Sequence, residues 1–96
     1  MLVLVTYDVN TEHRDGRRRL RHVSKLCSGA GHRVQYSVFE CQVDHTTWAA
    51  LKGNLLSSIN TAEDSLRFYF LGEDGFARCE HHGIKPSMDM EGPLVV

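Results

Sequence analysis

No apolar run in this chain approaches the ~20 residues that a bilayer span requires. The longest such stretch, from Met1 to Tyr7, has neither a basic leader nor a small-residue cleavage site, so it reads as a strand and not as a secretory signal. Cysteine is sparse and unpaired: Cys27, Cys41 and Cys79 are an odd number without recurrent spacing. That excludes a disulfide framework and fits a reducing cytoplasm, with the thiols acting as small buried side chains. There is no internal repeat, no low-complexity tract and no linker. A glycine-rich phosphate loop is also missing, as is any Ser/His/Asp or Cys/His set. The histidines are scattered, and Cys79-Glu80-His81-His82 has no second half at zinc-binding spacing.

What is present is the composition of an ordinary small globule: 96 residues, 42% apolar and 24% charged. A domain of this size buries a modest share of its surface, so a second chain packed against it would add much to its stability.

Leu2–Tyr7 reads as a strand that is apolar on both faces, with Leu2, Leu4 and Thr6 on one and Val3, Val5 and Tyr7 on the other. Such a strand needs cover on both sides. A turn through Asn10, Thr11, Asp15 and Gly16 leads into a helix from Arg17 to Ser28. Leu20, Val23 and Cys27 are its buried stripe, and Gly29 and Gly31 its stop. Farther on, Val34, Tyr36 and Val38 alternate on one face, and Phe39, Cys41 and Val43 on the other. That flip predicts two short strands or one bulged strand. Asp44 to Thr47 offers N-caps for a second helix with Trp48, Leu51, Leu55 and Ile59 inward. Asp64–Leu71 is a further strand, with Leu66, Phe68 and Phe70 on one face and Tyr69 and Leu71 on the other. A turn spans Gly72 to Gly75. The tail, Phe76 to Val96, holds both prolines and ends on Leu94-Val95-Val96.

Strand, helix, strand, strand, helix, strand is the order of an α+β, ferredoxin-like βαββαβ sandwich. Residues 1–78 make the core of this single domain, 1–96, and residues 79–96 an extra C-terminal strand or tail. Both helices then cover one face of the sheet. Val3, Val5 and Tyr7 with Tyr69 and Leu71 predict that the other face is apolar too. A second copy, sheet against sheet in a twofold homodimer, is the simplest cover.

The net charge of −1 conceals a strong asymmetry. Between residues 13 and 33, seven cations (Arg14, Arg17, Arg18, Arg19, Arg21, Lys25 and Arg33) face one acid, Asp15. That segment is therefore +6 and the rest of the chain −7. Arg14/Arg18, Arg17/Arg21 and Arg21/Lys25 are like-charge pairs at i,i+4, each costing the helix roughly 0.2–0.5 kcal/mol. A solvated helix face usually mixes signs; this one does not, which points to a polyanion bound through one patch. Asp8 ends the first strand beside that patch. Alone it reads as a turn-forming aspartate. In a twofold dimer a second Asp8 could lie near it, and two carboxylates with waters can hold one Mg²⁺. Such an ion polarises a phosphodiester and activates a water.

The ordered set Val5-Thr6-Tyr7-Asp8-Val9, the arginine-rich helix, Arg33-Val34-Gln35-Tyr36-Ser37-Val38-Phe39-Glu40 and Asp64-Ser65-Leu66-Arg67-Phe68-Tyr69 resembles the CRISPR-associated protein 2 family. Gly83-Ile84-Lys85-Pro86-Ser87 is similar to the branch found with type I-C systems. The resemblance implies a ferredoxin-like homodimer whose two Asp8 residues face each other across the twofold axis and share a Mg²⁺; the cysteine usage and the lack of a long apolar run add the expectation of a cytoplasmic protein with no membrane partner. It places Arg33, Ser37, Phe39 and arginines of the first helix at positions linked to nuclease activity or the active cleft. It puts the C-terminal segment on the partner's sheet edge. It implies a CRISPR adaptation role as an endonuclease on RNA or double-stranded DNA. The alternative is a non-catalytic adaptor that bridges dimers of the CRISPR-associated integrase and holds DNA. A third reading, a ferredoxin-like regulatory domain binding a metabolite, is open to the fold but leaves the arginine stripe unused.

Overall fold

The structure, a computed structural model, describes residues 1–72 and 77–84. The elements are β1 (Leu2–Asp8), α1 (Arg14–Ala30), β2 (His32–Gln35), β3 (Val38–Gln42), α2 (His45–Ser58), β4 (Ser65–Leu71) and β5 (Ala77–Gly83). They form one sheet in the order β2-β3-β1-β4-β5, every neighbouring pair antiparallel. This is the expected βαββαβ arrangement with β5 added at the β4 edge. β5 crosses the expected division between core and tail at residue 78. The apolar end Leu94-Val95-Val96 lies outside the described residues.

Both helices lie on one face. Val5 stands opposite Phe39 on one side and Phe68 on the other, and Val3 opposite Cys41 and Phe70. These residues, with Tyr7 and Leu66, form the sheet's contribution to the core, and Val23, Cys27, Trp48, Leu51 and Leu55 pack down on them from the helices. Trp48 meets Phe68 edge-on at 4.7 Å between centroids, a geometry that adds to burial. Leu20 and Ile59 pack at the margin of this core.

Several expectations need correction. The alternation predicts Val3, Val5 and Tyr7 on the uncovered face; the register sends them under the helices. The uncovered face carries Leu2, Leu4 and Thr6, crossed by Glu40 and Val38 on one side and by Arg67, Tyr69 and Leu71 on the other. It is a mixed surface, not a uniformly apolar one. Val34, Tyr36 and Val38 do not share a strand face either. β2 and β3 are separate strands with a register shift between Arg33 and Gln35, and Tyr36 and Ser37 form the turn that joins them. The first helix begins three residues earlier than its apolar spacing predicts and runs through Gly29 to Ala30; Gly31 caps it in extended backbone, its N–H donating to the Cys27 carbonyl. Cys27 and Cys41 are buried as expected, but Cys79 is exposed. Burial pushes the Cys27 thiol up to about 12, with Cys41 adding to the effect, so it is inert at neutral pH.

Gly16 shows why α1 starts where it does. A Cβ there would sit 1.7 Å from the Asn10 carbonyl oxygen, so only glycine lets the helix start close on the loop after Asp8. Gly53, in the middle of α2, has nothing near it. The two glycines should therefore respond oppositely to alanine. Gly53→Ala is expected to stabilise by about 0.5–1 kcal/mol through helix propensity. Gly16→Ala is expected to lose about 1–3 kcal/mol to overpacking, outweighing the same propensity gain. Urea midpoints of the two variants read the signs directly.

Candidate nucleic-acid interface

Asp8 is exposed at the last position of β1, opposite Ser65 of β4. Strand alternation places it with Thr6 on the uncovered face. The hairpin turn lies beside it, because the Tyr7 N–H donates to the Ser37 carbonyl at 3.1 Å. Among the described residues, no three His, Cys, Asp or Glu side chains converge to hold a metal ion. Asp8 thus lacks, among the described residues of its own chain, the two further ligating side chains that a three-ligand site would need. Mg²⁺ uses one or two carboxylates and keeps several waters, so Asp8 fits half of such a site.

The chain leaving Asp8 is held by a residue that periodicity does not reveal. Asp64, just before β4, is fully buried. Its carboxylate accepts from the Asn10 N–H at 3.0 Å and the Asn60 N–H at 2.8 Å. It also accepts from Arg19 Nε at 2.7 Å and Nη2 at 3.2 Å. Burial works to raise its pKa, but the Arg19 guanidinium and the Asn60 and Asn10 amides outweigh this and hold it below the usual carboxylate range. One carboxylate thereby joins the Asp8 loop, α1 and the α2–β4 connection. The alternation reads Asp64 as the first residue of the strand; β4 begins at Ser65, and the local pattern carries no sign that the Asp64 carboxylate turns inward to Arg19.

Arg19 is therefore committed inside the protein, with Glu63 also 3.5 Å away. It stands apart from the other helix cations expected to meet a polyanion. Arg14, Arg18, Arg21 and Lys25 are exposed along one line of α1, directly opposite buried Val23 and Cys27. None of the four forms an ion pair among the described residues. Arg17 is also exposed and reaches back to donate to the Thr11 carbonyl at 3.3 Å.

Arg33 extends this cationic surface from β2. Its guanidinium lies over the Phe39 ring, 5.0 Å from the centroid, and donates to Ser24 Oγ of α1. Phe39 itself is fully buried and stacks on Tyr7 at 6.2 Å. It cannot line a cleft for substrate, as expected of it; its role is to hold Arg33 in place through a cation–π contact. Ser37 is half-buried in the turn. Between α1 and this hairpin lies a hollow of about 430 Å³, floored by Tyr7 and Leu20 and edged by Arg21, Ser24, Lys25, Arg33, Tyr36 and Ser37. The hairpin turn thus stands between Asp8, on the uncovered face, and the hollow edged by Arg21, Lys25 and Arg33 on the helix side; Arg14, Arg17 and Arg18 do not border that hollow.

The Cys79-Glu80-His81-His82 run does not converge. The β4–β5 register pairs Glu80 with Phe68 and His82 with Leu66, on the helix side, and Cys79 with Tyr69 and His81 with Arg67, on the uncovered side. Glu80 pairs with Lys52 of α2 at 2.7 Å and approaches His82 at 3.3 Å. His81 Nδ1 accepts from Arg67 Nε at 3.0 Å, and its other nitrogen lies 2.8 Å from the Ile84 carbonyl, which fixes the ring as the Nε2–H tautomer.

Known proteins share this framework. The family model described as CRISPR associated protein Cas2 matches residues 1–79. The CRISPR-associated endoribonuclease Cas2 of Chlorobaculum tepidum is 55% identical over 96 residues, covering 100% of both chains. The CRISPR-associated endonuclease Cas2 of Halalkalibacterium halodurans is 53% identical over 95 residues, covering 99% of each. The crystal structure of Streptococcus pyogenes Cas2 superimposes with a TM-score of 0.70 at 55% identity, over 77% of this chain and 89% of that one. With a family model spanning most of the chain and relatives alike from end to end, the protein belongs to the CRISPR-associated Cas2 family.

Proposed function

We propose that this protein is a CRISPR adaptation endonuclease that works as a homodimer on RNA or double-stranded DNA, with a divalent ion, Mg²⁺, held between Asp8 of each copy. The observation that carries this reading is the exposed Asp8 at the end of a buried strand, next to the β2–β3 turn whose Ser37 also borders the hollow edged by Arg21, Lys25 and Arg33. The names of its relatives, endoribonuclease and endonuclease, agree in reaction class. When bound, the ion would polarise the scissile phosphodiester and lower the pKa of a water. The chain's own part is positional. Arg33, braced by Phe39, and Arg21 take phosphate oxygens, with Arg14, Arg17, Arg18 and Lys25 continuing along the backbone. Ser37 brings a hydroxyl to the same end of the sheet. Arg19 acts through Asp64, by fixing the loop that carries Asp8.

With 5′-labelled single-stranded RNA or duplex DNA, cutting is expected with Mg²⁺ and is expected to stop on chelation. Cutting that persists in chelator would overturn the metal reading. A second reading, a non-catalytic adaptor that bridges integrase dimers and lies along DNA, is favoured by the single carboxylate each chain contributes. It predicts tight binding of duplex without cutting.

Both readings require the cationic surface. Alanine at Arg14, Arg18, Arg21 or Lys25 should weaken binding about equally across sequences. Each lost phosphate contact should flatten the slope of log K against log salt by about one. A slope unchanged in the quadruple variant would remove the patch from the interface.

A further inference from the structure

We propose that Tyr36 is a stacking platform for one unpaired nucleobase, with the adjoining phosphate held in the hollow behind it. This deepens the nucleic-acid reading above and rests on it. Tyr36 is 90% exposed at the tip of the β2–β3 hairpin, and its neighbour Val34 is 52% exposed. Neither side chain gains burial by being apolar, so the ring is free to meet a ligand. The turn beneath it is held from β1 at two points. The Tyr7 hydroxyl lies 3.4 Å from the Tyr36 carbonyl, and the Tyr7 N–H donates to the Ser37 carbonyl at 3.1 Å. With the backbone of the turn held, only the two side-chain torsions of Tyr36 are left to order on binding.

The surroundings supply the other half of a nucleotide. The hollow of about 430 Å³ beside Tyr36 is edged by Arg21, Lys25 and Arg33 and by the hydroxyls of Ser24 and Ser37. Its size is that of a small-molecule pocket. Arg33 is preset by the Phe39 ring and by Ser24, yet a guanidinium has five donors, so donors remain for a phosphate. An aromatic face next to three cations matches a base attached to its phosphodiester. A base inside a duplex is stacked on both faces and offers none to a tyrosine, so the occupant is a nucleotide of a single strand or of a splayed end.

The test uses the full chain and a single strand, as RNA and as DNA of one sequence, carrying a central 2-aminopurine, with the matching duplex as control. Binding should quench the base's fluorescence in wild type and in Tyr36→Phe. Tyr36→Ala should lose that quenching and roughly five- to hundredfold in affinity for single strands, of either sugar, with little change on duplex. Equal affinity and quenching in wild type and Tyr36→Ala would overturn the proposal while leaving salt-dependent binding, and so the nucleic-acid reading, intact. An equal loss on duplex and single strand would also overturn it, because the side chain would then contact backbone. Failure of the wild-type chain to bind any of the three would remove both readings together.

Discussion

Asp64→Ala is expected to destabilise the fold by about 3–5 kcal/mol, the loss typical of breaking one side of a buried ion pair. A domain of this length holds roughly 5–15 kcal/mol in total, so the loss is a large fraction of its folding free energy. The effect is large because one carboxylate serves three partners: the Asn10 and Asn60 amides and Arg19. Removing it leaves two part-buried amide donors without an acceptor and the Arg19 guanidinium with Glu63 alone, 3.5 Å away. Asp64→Asn keeps the shape and one acceptor oxygen but turns two amide hydrogens toward the same donors, so it should recover only part of the loss. Chemical denaturation reads this as a fall in midpoint with little change in slope. A variant that unfolds at the wild-type midpoint would show that the Asp8 loop is secured some other way.

The same residue sets an acid limit. Its folded-state pKa is depressed below the usual value, so its stabilisation is complete above the unfolded aspartate range of about 3.9. As pH falls below that, the unfolded chain takes up the proton first and stability declines. The decline ends once the folded Asp64 is itself protonated. Wild type should therefore lose stability steeply below about pH 4, and Asp64→Asn should lose less over the same range. Identical acid profiles would assign the limit to other carboxylates.

Asp8→Asn is expected to reduce Mg²⁺-dependent cutting by at least about 10²-fold, on the order of losing one electrostatic contributor to a transition state, with nucleic-acid affinity nearly unchanged. The side chain is exposed at the end of β1, so the fold has no stake in its charge, and the urea midpoint should stay within ~0.5 kcal/mol of wild type. That separates it from Asp64→Ala, where activity and stability should fall together. An Asp8→Asn variant that cuts at the wild-type rate would remove the metal role of this carboxylate. If wild type does not cut and the variant supports spacer acquisition normally, the adaptor reading stands.

Chain order and side-chain spacing alone were enough for the βαββαβ order, for an interruption in the 33–43 segment (though it falls at Tyr36 and Ser37, not between Val38 and Phe39), for most of the inner stripes of both helices and for the placing of Asp8 at a strand end. These follow from local periods, 3.6 for helices and 2 for strands, and from caps such as Asp44, whose carboxylate accepts from the Thr47 N–H at 2.6 Å. Pairing is not local. Which face of β1 lies under the helices depends on its register against β3 and β4, and a strand apolar on both sides carries no mark of the answer. The C-terminal run Ala77–Gly83 lacks alternation because Glu80 and His82 turn inward to meet Lys52 and the ring of Phe68. Its strand character came from the free edge of β4.

The cations divide in the same way. Their clustering in one segment is visible in the residue order, and so is the inference of a polyanion. Only folding separates Arg19, drawn to a carboxylate 45 positions away, from Arg18 and Arg21, which face solvent. Only folding buries Phe39 under Arg33 and leaves Tyr36 in the open. Charge and composition say which side chains could act; distances across the sheet decide which are already engaged, because a partner far along the chain leaves no trace in local sequence.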